Sequence, residues 1–354
     1  MQRNGAIQIL RGGAAILVVI AHFGASIGDY YKGAPDVFRT GLVELGNIGV
    51  SIFFFISGFI MMQTTRNKCW GWKESANFIK KRFIRIYPLY WFWTSILLLL
   101  WMSGVALKSH DYTFFYVLKS YLLIPTISSG DKHPLLSPGW TLVFEMFFYI
   151  TLFIFIACNL KKYVVIYILM FFSFMHFFSD YFTETLRYIV SSHLIFEFVF
   201  GMITWVLFNK YKEGLTGCHD SKFLIIPFFA FFILVSVTLE GTLFNSVFVF
   251  IMIFILILCT SLSRYPKSRC MSLLEFLGDA SYSIYLVHYI FALLLSAILK
   301  AGHLQSFNPF LLLFASSLSV VLVCLVSYIF IEKPIINIFH IKKENKIQPG
   351  DGAL

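Results

Sequence analysis

The chain has 354 residues, of which 58% are apolar and 13% charged. Soluble domains run at about 45–50% apolar and about 25% charged, and here the apolar residues fall in blocks that would leave the water-facing side of a soluble helix bare. The net charge of +10 lies mostly in short segments between those blocks, so it reads as a topology signal and not as a nucleic-acid surface.

An apolar helix needs about 20 residues to cross a bilayer. In chain order the blocks are 7–27, 43–64, 84–105, 139–158, 163–179, 189–208, 223–239, 243–262, 279–300 and 309–331. The fold expected is all-α: a polytopic membrane bundle of about ten transmembrane helices. The fifth and seventh blocks are short and would cross with little tilt. The segment 112–125 is too broken to span and reads as interfacial or re-entrant. The first block resembles a signal peptide at its start, but Arg11 interrupts the apolar run, which continues to Ile27, so it is read as a retained span. Residues 1–331 form one membrane domain, with no second domain or internal repeat. Residues 332–354 are read as a polar, flexible cytoplasmic tail.

Orientation follows from Lys and Arg. With the N-terminus inside, twenty of the 28 fall on inner segments, the richest being 66–85 and 333–346, and seven fall outside: Lys32, Arg39, Lys108, Lys119, Lys132, Arg187 and Lys300. Arg11 lies within the first helix. This is the positive-inside pattern, and it puts both termini in the cytoplasm. The six cysteines (Cys69, Cys158, Cys218, Cys259, Cys270 and Cys324) form no CxxC or metal spacing. They fall in spans or on the inner side, where disulfides rarely persist.

Ionisable residues inside spans are costly and mark function or buried pairing. Arg11 and His22 are eleven residues apart on the first helix, just over three turns, so both point to one face about 16 Å apart. Taken singly, Arg11 has a snorkelling role open to it and His22 that of a hydrogen-bonded core residue. Together, beside Gly12 and Gly13, they suggest a polar channel. Glu145, in the fourth span, is expected in the outer half at the depth of His22, where a carboxylate would orient the imidazole. Glu197 reads equally as interhelical polar glue. Asp279 opens the ninth span as a helix N-cap. Tyr282, Tyr285 and His288 follow at three-residue spacing and would line one groove, as a site or as a hydrogen-bond ladder. Arg82 and Arg85, one turn apart at the inner start of the third span, suit either topological anchoring or a bidentate phosphate clamp.

In series these residues resemble a known family. The stretch IQILRGGAAILVVIAH (7–22) resembles the opening helix of the acyltransferase-3 family of membrane O-acyltransferases, whose hallmark is Arg, ten residues, then His. FFFISGFIM (53–61), Arg82-x-x-Arg85, PGWTLVFE (138–145) and GDASYSIYLVH (278–288) continue the likeness in order along nearly the whole chain. The chain resembles the stand-alone form, without the extra extracytoplasmic domain that some members carry.

The resemblance implies transfer of an acyl group, usually acetyl from acetyl-CoA, to a hydroxyl of a cell-surface polysaccharide such as O-antigen, in the bacterial inner membrane. Expected partners are acetyl-CoA, a lipid-linked or nascent glycan and the bilayer, with no metal and no nucleic acid. His22, Glu145 and Arg11 are the expected catalytic group. Arg82, Arg85 and Arg11 would bind the acyl-CoA. Asp279, Tyr282, Tyr285, His288, Ser57 and Trp140 would line the groove. The acyl group either passes outward to a periplasmic acceptor, transfers directly within one tunnel, or rests on an acetylated His22. The alternative is a transporter or flippase of a lipid-linked glycan, against which stands the lack of paired halves.

Overall fold

The computed structural model describes residues 5–107, 111–125, 133–211, 251, 253, 255–256 and 268–344. Among them there is no strand. The elements are helices α1 (Gly5–Tyr30), α2 (Gly41–Thr65), α3 (Trp72–Met102), α4 (Phe114–Leu122), α5 (Gly139–Ala157), α6 (Val164–Phe177), α7 (Glu184–Val190), α8 (Leu194–Tyr211), α9 (Arg269–Asp279), α10 (Ser281–Lys300), α11 (Pro309–Ser327) and α12 (Lys333–Glu344). Among the described residues, seven stretches are long and apolar enough to cross a membrane, carried by α1, α2, α3, α5, α8, α10 and the run from α11 into α12. The chain is a multi-pass, all-α membrane protein. The fifth expected span appears as α6, a 14-residue apolar helix. The seventh and eighth, 223–239 and 243–262, lie outside the described residues apart from single helical positions.

α1 is the hub, packed along α2, α9 and α10. Its partners approach closely because small residues face it. A Cβ on Gly278 would run into the Gln8 carbonyl, and one on Gly49 into that of Ala14. The same device joins α2 to α8, where Gly58 faces the Phe198 carbonyl and Gly201 faces that of Phe55. Lipid offers no hydrophobic drive for helices to pair, so close van der Waals contact at small residues does that work. α1 runs parallel to the chain from α9 into α10: Gly12 lies against Gly278 of α9 and Ser26 against Ala292 of α10. α3 and α5 run antiparallel, with Tyr90 against Gly139 at one end and Phe78 against Tyr149 at the other.

Three expectations are corrected. α3 begins at Trp72, twelve residues before its apolar block, because three polar turns continue the helix without adding hydropathy. Asp279 ends α9, and the N-cap of α10 is Ala280, which makes no side-chain cap bond. The segment after Ile331 is helical: the chain passes through a π-helical turn, Tyr328–Glu332, into α12. Glu332, assigned to the tail from sequence, is buried.

The segment 112–125 holds α4, too short to cross. α3 pins it down: Tyr90, Trp91 and Tyr87 donate to the carbonyls of Ser120, Tyr121 and Leu122. Leu135 and Leu136, just before α5, are buried. The chain entering α5 is therefore packed inside protein.

Candidate active site

α1, α2, α3, α5 and α10 surround one cavity of about 780 Å³ of free space, mouth included. Its wall holds Arg11, Arg82, Arg85, Glu145, Ser57, Tyr149, Tyr282 and Tyr285. The three arginines expected to bind a donor thus converge from two helices, and the expected carboxylate joins them. Apolar residues of α2, among them Phe53, Ile56 and Ile60, complete the surface.

The local sequence explains the convergence. Arg82 and Arg85 sit one turn apart on α3, so both face α5 and α10. Arg82 stands over the rings of Phe78 and Tyr149, its guanidinium carbon 5.8 Å from each centroid. Its Nε is buried and has no hydrogen-bond partner among the described residues. The same holds for Ser281 Oγ, on the wall at the start of α10. Buried donors without partners are rare and costly, and here both lie at a cavity.

Glu145 accepts from Ser57 Oγ at 3.0 Å and from the Tyr149 hydroxyl. It faces Arg11, which also lies within electrostatic reach of Arg85 and Glu332. Glu332 accepts from the backbone N–H and the hydroxyl of Ser283, at 3.1 and 2.6 Å. Charges of both signs thus share this part of the bundle, the arrangement that makes buried ions tolerable.

Glu145 does not meet His22. The Thr141 hydroxyl is 2.7 Å from that of Tyr285, which sets the two antiparallel helices in register. From there Glu145 lies four residues toward one end of the bundle and His288 three residues toward the other, a separation of about 10 Å along the axis at 1.5 Å per residue. His22 is at the level of His288, its Nδ1 3.4 Å from His288 Nε2. The register of the two helices is the reason: it sets Glu145 level with the start of α10 and not with His288. His22 and His288 stand beyond the cavity wall, on the far side of Tyr285, whose ring lies 6.1 Å from that of His288.

Asp279 and Trp140 are not in the wall. Asp279 ends α9, and Trp140 packs on His133 and Phe144. Glu197 lies elsewhere, between α2 and α8, with Ser51 donating to it at 2.8 Å. Sequence reasoning missed Tyr149 and Glu332. Tyr149 had a signal, since it follows Glu145 by one turn and a buried phenol needs a partner. Glu332 had none, because it directly follows the last apolar block. Among the described residues, no group of three or more His, Cys, Asp and Glu side chains is placed to hold a metal ion.

The site combines guanidinium groups, a hydrogen-bonded carboxylate and, beyond Tyr285, a pair of imidazoles. A family model described as "Acyltransferase domain" matches residues 4–329. The exopolysaccharide production protein ExoZ of Rhizobium meliloti (strain 1021) is 29% identical over a match covering 82% of this chain and 90% of that protein. Acyltransferase MdmB of Streptomyces mycarofaciens is 30% identical over 123 residues, 31% of this chain and 28% of that protein. No solved structure matches. The family match spans the helices that build the cavity, and the chain belongs to the acyltransferase-3 family of membrane acyltransferases.

Proposed function

We propose that this chain transfers an acetyl group from acetyl-CoA to a hydroxyl of a cell-surface polysaccharide, O-antigen or an exopolysaccharide. It does so as a multi-pass protein of the bacterial inner membrane with both termini in the cytoplasm. The observation that carries the reading is the cavity in which Arg11, Arg82 and Arg85 face one space, with His22 and His288 beyond it. Coenzyme A is cytoplasmic and polyanionic. Guanidinium groups bind its phosphates through paired N–H donors, and the family membership supports an acyl donor of this kind. The exopolysaccharide role in the name of ExoZ supports a glycan acceptor.

His22 is the general base. In the transfer, the acceptor hydroxyl gives its proton to His22 and its oxygen bonds to the acetyl carbon. The carbon–sulfur bond breaks and the CoA thiolate takes the proton back from His22. Positioned proton transfer of this kind contributes about 10²–10⁴-fold to rate. Arg11 and Glu145 line the inner part of the path, where Arg11 meets the donor and Glu145, held by Ser57 and Tyr149, counters the arginine charge. Residues 1–331 supply the catalytic unit.

The test is transfer of radiolabel from acetyl-CoA into polysaccharide in membranes carrying the chain. The label is expected to enter with the wild type, and His22→Ala is expected to lower the rate by about 10²–10⁴-fold at unchanged protein level. Absence of transfer by the wild type, with glycan export lost on deletion, would favour a flippase instead.

A further inference from the structure

α1 and α10 lie side by side and parallel, and midway they bring two imidazoles together. His288 Nε2 is 3.4 Å from His22 Nδ1, with ring centroids 4.9 Å apart and planes at 67°. Their other partners assign the protons. His288 Nδ1 is 2.9 Å from the Ile284 carbonyl, and His22 Nδ1 is 3.0 Å from the Val18 carbonyl. A carbonyl oxygen only accepts, so each Nδ1 carries a hydrogen. His288 is fully buried, at 0% exposure, and a second proton on it would create a cation sealed within a membrane bundle. Its Nε2 is therefore a bare acceptor. The Nδ1–H of His22 is shared between the Val18 carbonyl and His288 Nε2, and the lone pair of His22 is left on its Nε2. His22 keeps some exposure, whereas His288 behind it has none.

We propose that His288 is a positioning residue for His22: it fixes His22 as the Nδ1–H tautomer, which makes Nε2 the base, and it accepts from the imidazolium formed when Nε2 takes the acceptor proton. The proposal rests on the reading of His22 as general base. His288 exchanges no proton itself. The hydroxyl proton moves to His22 Nε2 and from there to the departing thiolate, while the hydrogen on His22 Nδ1 stays in place between Val18 and His288. In many enzymes a carboxylate orients the base. Here Glu145, the carboxylate expected in that role, lies about 10 Å further in at 1.5 Å of helix rise per residue. A neutral imidazole supplies the acceptor without placing a second charge in the outer half of the bundle. Its own orientation is set by the Ile284 carbonyl one turn back on α10.

The experiment uses the full chain in native membranes, with radiolabelled acetyl-CoA and the endogenous glycan, for His288→Leu, His288→Gln and His22→Ala. Leucine removes the acceptor; the glutamine carbonyl reaches the place of Nε2 and restores it. We expect His288→Leu to lower kcat by about 10- to 150-fold, the effect of losing a hydrogen bond to a charged group, at unchanged KM for acetyl-CoA. Glutamine should recover most of the loss. Wild-type kcat in His288→Leu with an inactive His22→Ala would overturn the positioning role alone, as would equal losses in Leu and Gln variants that both accumulate. An active His22→Ala would overturn the base itself. Should His288→Leu fail to accumulate, solid-state nitrogen NMR of the wild-type protein reads the tautomer directly. A protonated Nδ1 and bare Nε2 on His22 agree with the proposal, and a protonated Nε2 overturns it.

Discussion

Replacing Arg82 by lysine keeps the cation and removes the planar fork. The structure gives a reason to expect a large effect. Arg82 lies on the cavity wall, near the rings of both Phe78 and Tyr149, with its Nε buried and unpartnered among the described residues. An anion entering the cavity would satisfy that donor. One charge-assisted hydrogen bond is worth about 1.5–3 kcal/mol, and each 1.4 kcal/mol is about tenfold in affinity. Arg82→Lys should therefore raise the KM for acetyl-CoA by about 10- to 150-fold. If the bond is made equally in ground and transition states, kcat changes little. Arg85→Lys should show the same kind of change. The assay is acetyl-CoA dependence of transfer in inverted membrane vesicles, at matched protein level. Lysine and arginine count alike in setting topology, so unchanged kinetics in both variants would return the two residues to an anchoring role and move the donor site toward Arg11.

Tyr149→Phe removes a hydroxyl that donates to Glu145 and should lower transfer about tenfold, by the loss of one bond to a carboxylate; a wild-type rate would show that Ser57 alone suffices to hold Glu145. Gly201→Ala places a methyl against the Phe55 carbonyl and should cost about 1–3 kcal/mol in overpacking, read as a lower melting temperature in detergent; unchanged melting would mean that α2 and α8 are free to part. Glu332→Ala strands the Ser283 N–H and hydroxyl at about 1–3 kcal/mol for an unsatisfied buried group, whereas Glu332→Gln keeps an acceptor and should melt closer to wild type. Equal melting of both would remove Ser283 from the account.

The spans were legible because hydropathy over 18 or more residues is a one-dimensional signal, and α1, α2, α5 and α10 fall within a few residues of where apolar length alone puts them. Arg11 was legible because charge inside a span is exceptional, and Arg82 and Arg85 because two arginines one turn apart suit a phosphate clamp as well as anchoring. Depth was not legible. Glu145 was counted inward from the edge of its apolar block, but the register of α5 and α10 puts it on the cavity wall with Arg11 and not beside His22. Helix limits set by polar residues were also hidden: the first turns of α3 and the polar helix α12 add little hydropathy, and Glu332 stood outside the last block though the fold buries it. The pairing of His22 with His288 needs the parallel register of α1 and α10, where Ser26 meets the Ala292 carbonyl. That contact joins residues more than 250 positions apart and leaves no mark in local sequence.

The most direct test of the central claim is the O-acetyl content of the cell-surface polysaccharide, read by proton NMR. The strains to compare express the wild-type chain, no chain, or His22→Ala at the same membrane level. The account predicts O-acetyl signals with the wild type and their loss in both other strains. Equal O-acetyl content in all three would contradict it.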